Sequence, residues 1–186
     1  SGSTGTTNVL RTVGKRAAAV VLLLDMSKSV VAVLLAQLLT DSAGVEVVTA
    51  LAAIAGHIWP VFAGFRGGKG ISVGLGALFV ISPISGLVAT LFGVPAIAIS
   101  KYVSLGSMMG AISGCIALFV LAFATDTSTV YAWYSVIGGS SVLVLHRANI
   151  SRLIRGEERK IGQRAVEDVP SQEPSRQKGF RWPGSA

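Results

Sequence analysis

Between residues 29 and 146 the chain carries only six charged side chains in 118 positions: Asp41, Glu46, Arg66, Lys69, Lys101 and Asp126. A water-soluble domain spreads charge over its whole surface, at about a quarter of its residues. A soluble globular fold is therefore excluded for this stretch. Disorder is excluded as well, because it needs low hydrophobicity and high charge, whereas 51% of the residues are hydrophobic and the mean hydropathy is +0.65. The last forty positions, 147–186, hold fourteen charges. These proportions describe an all-α, polytopic membrane helix bundle with a wet, basic tail.

The net charge of +7 would suggest nucleic acid in a soluble protein. In a membrane protein, basic residues chiefly set orientation, and no nucleic-acid partner is expected. The single Cys115, inside an apolar run, rules out a disulfide framework and a cysteine-rich metal site.

Breaking the apolar runs at charges and at Gly, Pro and Ser clusters gives six candidate transmembrane helices, at about 17–39, 47–64, 70–82, 84–100, 104–124 and 130–146. A span needs roughly 20 apolar residues, so the third and fourth are short. Short spans are tolerated where they line protein or a polar cavity, which points to a site beside residues 65–72. The connections alternate: Arg11, Lys15 and Arg16, then Asp41 and Glu46, then Arg66 and Lys69, then an uncharged turn at 81–86, then Lys101, then Asp126, then the basic tail. By the positive-inside rule both ends of this stretch face the cytoplasm. Residues 146–160 mix Ile150, Leu153 and Ile154 with Arg147, Arg152 and Arg155 and read as a short interfacial helix. Residues 1–162 form one expected domain, and 163–186 are expected to be a disordered tail.

Three polar clusters sit at the cytoplasmic ends of these spans. Residues 1–11, SGSTGTTNVLR, offer small hydroxyls, backbone N–H groups and Arg11, which suits a phosphate; a flexible loop before a helix would read the same. Residues 56–70, GHIWPVFAGFRGGKG, place Arg66 and Lys69 among Gly67, Gly68 and Gly70 at a helix start, where an anion is favoured; a basic turn with glycine linkers is the plainer reading. In the third cluster His146 and Asn149 share a helix face and together can hold hydroxyls or a reacting oxygen, although a solvated helix face fits too. Asp25 and Lys28, at i and i+3 inside the first apolar run, can neutralise each other where isolated charges are costly. His57 reads as a helix–helix hydrogen bond or as a supporting residue.

Several patterns are absent. Five residues after His57 stands Phe62, and five after His146 stands Ser151, so no His-x-x-x-x-Asp pair exists. The body has no carboxylate cluster for a divalent metal. A metal-dependent phosphotransferase is not expected, and neither is a cofactor.

Taken together, the three clusters resemble the bacterial membrane acyl-phosphate:glycerol-3-phosphate acyltransferases, the PlsY family. The family pattern Ser-Gly-x-x-Gly-x-Thr-Asn-Val-x-Arg matches residues 1–11. Gly-His-x-x-Pro-x-Phe-x-x-Phe-Lys/Arg-Gly-Gly-Lys-Gly matches 56–70, and His-x-x-Asn-Ile-x-Arg-Leu matches 146–153, with Glu157 following. The Asp25-x-x-Lys28 pair and the Lys101-Tyr102-x-Ser104-Leu105 turn also fit. Ser3, Thr4 and Arg66 are departures from the commoner residues. The family has one further span before the first motif, seven in all, so the resemblance implies a chain that lacks its first helix.

The resemblance implies acyl transfer from an acyl phosphate to the 1-hydroxyl of glycerol 3-phosphate, giving lysophosphatidic acid and phosphate, the first committed step of bacterial phospholipid synthesis. It implies the bacterial plasma membrane as location and an upstream acyl-phosphate-forming enzyme as a partner. Ser1, Lys69, His146 and Asn149 would be catalytic. Thr7, Asn8, Arg11, Arg66, Gly67, Gly68, Gly70, Ser104 and Glu157 would bind substrate or hold its ligands, and Asp25, Lys28 and His57 would support them. A transporter of a phosphorylated metabolite would show inverted repeats and a midplane site. An acyltransferase using acyl-CoA or acyl carrier protein is the other alternative, and the soluble-domain type would carry His-x-x-x-x-Asp.

Overall fold

The computed structural model describes residues 5–163, which are helical throughout their ordered elements and contain no strand. Ser1 and residues 164–186 of the tail expected to be disordered lie outside the described residues. In chain order the elements are α1 (Thr6–Thr12), α2 (Lys15–Leu39), α3 (Ala43–Ile58), a 3₁₀ turn (Val61–Ala63), α4 (Ile71–Ile81), α5 (Pro83–Ser100), α6 (Val103–Ala124), α7 (Tyr131–Leu145) and α8 (Arg147–Ile154). Each of the six expected helices has a counterpart, and the basic segment after His146 is helical as well.

The boundaries differ where local chemistry overrides hydropathy. The Ser42 side chain accepts a hydrogen bond from the Val45 N–H and starts α3 four residues early, as an N-cap does. Pro60 ends the same helix near Ile58, because the residue before a proline avoids the helical region. Ser82 caps α5 with Pro83 in its first turn, so α4 and α5 are joined by a single residue. Among the described residues, four segments are long and apolar enough to cross a membrane: Lys15–Leu39, Ala43–Ala63, Pro83–Ser100 and Val103–Ala124. The helices Ile71–Ile81 and Tyr131–Leu145 are apolar but shorter. The expected count of six spans is thus met by four on length, and the short ones are α4 and α7.

Packing is that of a membrane bundle. Leu23, Leu24, Leu38, Leu39, Leu87 and Leu91 point outward, while the core is built from Val33, Ala50, Ala77, Ala89 and Leu118. Small residues let backbones touch where no hydrophobic gain between helices exists. Gly106, Gly110 and Gly114 on α6 face Ala89 and Gly93 on α5, and a Cβ at Gly110 would lie 2.7 Å from the Ala89 carbonyl oxygen. At one end of the bundle, buried Glu46 accepts hydrogen bonds from Gln37 Nε2 (2.9 Å) and Tyr131 Oη (2.8 Å). This clasp joins α2, α3 and α7. At the other, basic end, α1, the α3–α4 loop, the α5–α6 turn and α8 come together.

Candidate active site

The α3–α4 loop is shaped by its glycines and its proline. After the 3₁₀ turn, Gly64 (φ 59°) and Phe65 (φ 60°) both take the left-handed conformation and turn the chain back. The Gly67 N–H then donates to the Ile58 carbonyl at 3.2 Å and the Gly68 N–H to the His57 carbonyl at 3.3 Å. Neither position admits a side chain. A Cβ at Gly67 would overlap the His57 carbonyl, and one at Gly68 would overlap the His57 ring. Gly68 is also pressed from the other side, where its Cβ would stand 3.3 Å from the Gly5 Cα. The loop is therefore held between α1 and α3, and Lys69 projects from it.

The Lys69 ammonium donates to the Asn149 side-chain oxygen on α8. The Asn149 amide donates in turn to Glu158 Oε1 at 2.7 Å. Ser104 Oγ, in the first turn of α6, donates to the same oxygen at 2.7 Å, and Arg152 Nε donates to Glu158 Oε2 at 2.7 Å. Burial alone would raise the Glu158 carboxyl, but the hydrogen bonds from Ser104, Asn149 and Arg152 hold it below its ordinary range. His146 is buried, and its Nδ1 donates to the Val142 carbonyl at 2.9 Å. That bond leaves Nε2 as the acceptor nitrogen. Burial, and next the charge of Lys69, push the imidazole below its ordinary value, so it is neutral at pH 7.

Lys69 is lowered too, first by burial, and Arg152 and Arg11 add to this against the opposing pull of Glu158. Three cations thus act around one carboxylate, and the surplus of positive charge is what an anionic ligand would balance. Arg11 ends α1 and holds the Arg159 carbonyl at 3.2 Å through one Nη, with the rest of its fork exposed. Among the described residues no group of three or more His, Cys, Asp or Glu side chains could hold a metal ion.

The expected residues fall into groups. Lys69, Asn149, Ser104 and Arg11 are joined through direct bonds or one shared strand of chain, with His146 close enough to feel the Lys69 charge. Thr7 and Asn8 lie on α1 beside this cluster. Ser104 donates its hydroxyl hydrogen to Glu158 and so helps to hold the carboxylate. Arg66 is exposed at the edge of the loop. Glu157 is exposed and pairs with Arg155 at 2.9 Å, so the acidic residue of the cluster is its neighbour Glu158.

Asp25 and Lys28 do pair, at 2.8 Å, and His57 Nδ1 joins them, 3.2 Å from Lys28 Nζ and 3.4 Å from Asp25 Oδ1. The sequence reading missed Glu158 as the hub and its bond to Arg152. It also missed Thr6, whose Oγ1 is buried with no hydrogen-bond partner among the described residues. The signal for Glu158 was Gly156, whose left-handed φ of 70° stops α8 and turns the next residues inward.

The family described as Glycerol-3-phosphate acyltransferase matches residues 1–156. A glycerol-3-phosphate acyltransferase of Thermoanaerobacter sp. (strain X514) is 44% identical over 165 residues, covering 88% of this chain and 80% of the relative. One of Clostridioides difficile (strain 630) is 41% identical over 169 residues, with the same coverage of 88% and 80%. The crystal structure of PlsY (YgiH), an integral membrane glycerol 3-phosphate acyltransferase, in its glycerol 3-phosphate form superposes with a TM-score of 0.79 at 34% identity, over 87% of this chain and 80% of that one. Its lysophosphatidic acid form gives a TM-score of 0.76 over 84% and 78%. The chain therefore belongs to the glycerol-3-phosphate acyltransferase family of the PlsY type.

Proposed function

We propose that the protein transfers a fatty acyl group from an acyl phosphate to the 1-hydroxyl of glycerol 3-phosphate, forming lysophosphatidic acid and inorganic phosphate. The observation that carries this reading is the cationic cluster of Lys69, Arg11 and Arg152 around the buried Glu158, beside a neutral His146. Both substrates bring a phosphate, and the cluster supplies charge for them. The relatives named above are glycerol-3-phosphate acyltransferases by name, and the solved PlsY structures are a glycerol 3-phosphate form and a lysophosphatidic acid form, which supports the acceptor and the product of this reading.

In this reading the 1-hydroxyl oxygen attacks the acyl carbon, the bond from that carbon to the phosphate oxygen breaks, and phosphate leaves with the bonding pair. Lys69, with Arg11, Arg66 and the backbone N–H of Gly70, holds phosphate charge, and Gly67 and Gly68, whose own N–H groups are bonded inside the loop, fix the position from which Lys69 projects. Thr7, Asn8 and Ser1 add polar contacts from the first motif. His146 Nε2 accepts the hydrogen bond of the attacking hydroxyl, and Asn149 orients Lys69. The proton passes either to His146 Nε2 or to the departing phosphate. Because an acyl phosphate is already activated, positioning and charge neutralisation supply most of the acceleration.

The alternating charge of the connections supports six spans with the site on the cytoplasmic face of the bacterial plasma membrane, α4 crossing as a short helix packed inside the bundle and α7 as a short helix with Trp133, Val136 and Val144 on its outer face. A single domain over residues 1–162 and a place at the first committed step of phospholipid synthesis, fed by an acyl-phosphate-forming enzyme, follow from this reading. The test is an assay of purified protein with acyl phosphate, acyl-CoA and acyl carrier protein donors in parallel. Phosphate release that needs glycerol 3-phosphate, with acyl phosphate alone as donor, is expected; turnover with a thioester donor only would overturn the donor assignment.

A further inference from the structure

Just before the reacting groups, residues 59–65 are built unlike a loop in water. Trp59, Val61 and Phe65 are exposed, and Phe62 is fully so, at 105% of its reference area. From Ala63 onward the N–H groups of this stretch are bonded inside the protein. Ala63 and Phe65 N–H both donate to the Pro60 carbonyl, Gly64 N–H to Val61, Arg66 N–H to Ala63, Gly67 N–H to Ile58 and Gly68 N–H to His57, all between 3.0 and 3.3 Å. A loop at membrane depth must satisfy such groups internally, and these bonds meet that requirement from Ala63 onward. Apolar side chains facing out, with amides facing in, is the arrangement that lipid requires.

Helix lengths place this turn at the matching depth. The sixteen residues of α3 rise about 24 Å and the eleven of α4 about 17 Å, against roughly 30 Å of hydrocarbon. Both helices reach the opposite end of the bundle, where α3 begins at the Glu46 clasp and α4 ends at Ser82. Their junction at 59–70 lies at the basic end, where Lys69 joins α8 and, through Glu158, the α5–α6 turn, and two helices this short leave it at the edge of the hydrocarbon and not beyond it. The apolar side of the loop that bears Lys69 is exposed there to the surrounding leaflet.

We propose that the turn at 59–65 is seated in the bilayer leaflet at the basic end, and that it forms the lateral threshold over which a lipid-soluble acyl donor brings its phosphate to Lys69. This rests on the acyl-phosphate reading above. A long acyl chain stays in the leaflet because each methylene resists transfer to water. Its headgroup crosses Phe62 and Phe65, meets the exposed Arg66, and reaches Gly67–Lys69 without leaving the interface. Glycerol 3-phosphate, being water-soluble, enters from the α1 and α8 side and does not use this threshold.

Two measurements in lipid nanodiscs test the proposal. A nitroxide on Phe62→Cys, in a Cys115→Ala background, is expected to collide more with dissolved oxygen than with a water-soluble nickel chelate. The reverse order overturns the seating whatever the donor is. In kinetics, Phe62→Ser is expected to lower kcat/KM for palmitoyl phosphate about tenfold, to leave kcat/KM for the water-soluble butyryl phosphate and KM for glycerol 3-phosphate within about twofold, and to be rescued by Phe62→Leu. An equal change for both acyl phosphates, or none for palmitoyl phosphate, overturns the threshold. Lack of turnover by the unaltered protein with any acyl phosphate would overturn the donor reading instead, and the nitroxide would still decide the seating.

Discussion

The Lys69 ammonium is bonded to the Asn149 side-chain oxygen eighty residues further along the chain, so the glycine loop before α4 and helix α8 act as one unit. Asn149 passes the connection on to Glu158, which also anchors Ser104 of α6. Three parts of the chain thus fix where the ammonium sits.

Lys69→Ala is expected to lower kcat/KM for acyl transfer by about a hundredfold to a thousandfold, the range seen when one charge-stabilising donor is removed from an active site. Asn149→Leu should cost a similar amount by letting Lys69 drift. Because both changes remove one unit, the double variant should lose little more than either single one. Phosphate release measured for all three variants checks this; strictly multiplicative losses would show that the two residues act separately.

The neighbouring glutamates should behave differently. Glu158→Gln removes the charge that three donors share and leaves Arg152 facing a neutral amide. Arg152 is partly exposed, which screens it, so the expected loss is about 1–3 kcal/mol of stability. Glu157→Gln breaks only a surface pair with Arg155, worth about 0–1 kcal/mol. Thermal unfolding in detergent should therefore fall clearly for Glu158→Gln and hardly at all for Glu157→Gln. Equal shifts would contradict the geometry.

Comparison of the two glutamates shows what a sequence reveals here and what it conceals. Hydropathy located the six helices because lipid imposes one requirement on every residue of a span. Glycines beside Lys69, and a His and Asn on one helix face, were visible as local patterns. The choice between Glu157 and Glu158 depends on one backbone angle at Gly156; a glycine there marks where the helix stops, but it does not say which of the next two residues turns inward. Likewise the Asp25–Lys28 pair is legible at i and i+3, but its meeting with His57 depends on how α2 packs against α3. The end of α3 was misplaced for a related reason: apolar residues continue to Phe65, and only Pro60 marks that the helix has stopped.

The His57 ring fills the space that a side chain at Gly68 would need, which gives a paired test of loop placement. Gly68→Ala should cut kcat/KM at least about tenfold, because the new methyl must displace either the ring or the loop. Adding His57→Ala opens that space. The double variant should recover part of the activity lost by Gly68→Ala, a favourable coupling that only residues in contact show. Losses that simply add would mean that the ring and the loop do not constrain each other.

The pH profile of kcat/KM should be bell-shaped, with both limbs set by groups displaced from their ordinary values. His146 is held below 6.5 by burial and by Lys69, so the neutral imidazole survives to lower pH and the acid limb lies below 6.5. Lys69 is held below 10.5, chiefly by burial, so the charged form is lost earlier and the alkaline limb lies below that value. Lys69→Arg should move the alkaline limb upward, since a guanidinium stays charged. His146→Gln should abolish the acid limb if the imidazole takes the hydroxyl proton. Survival of the limb in that variant would assign the proton to the departing phosphate, whose own ionisation near pH 6 gives the same slope. Stability adds an independent sign. The unfolded chain binds more protons than the folded one between the lowered His146 value and 6.5, so stability falls as pH drops through that interval. His146→Gln should flatten this part of the unfolding curve while leaving the fall below pH 4.5 that comes from Glu158.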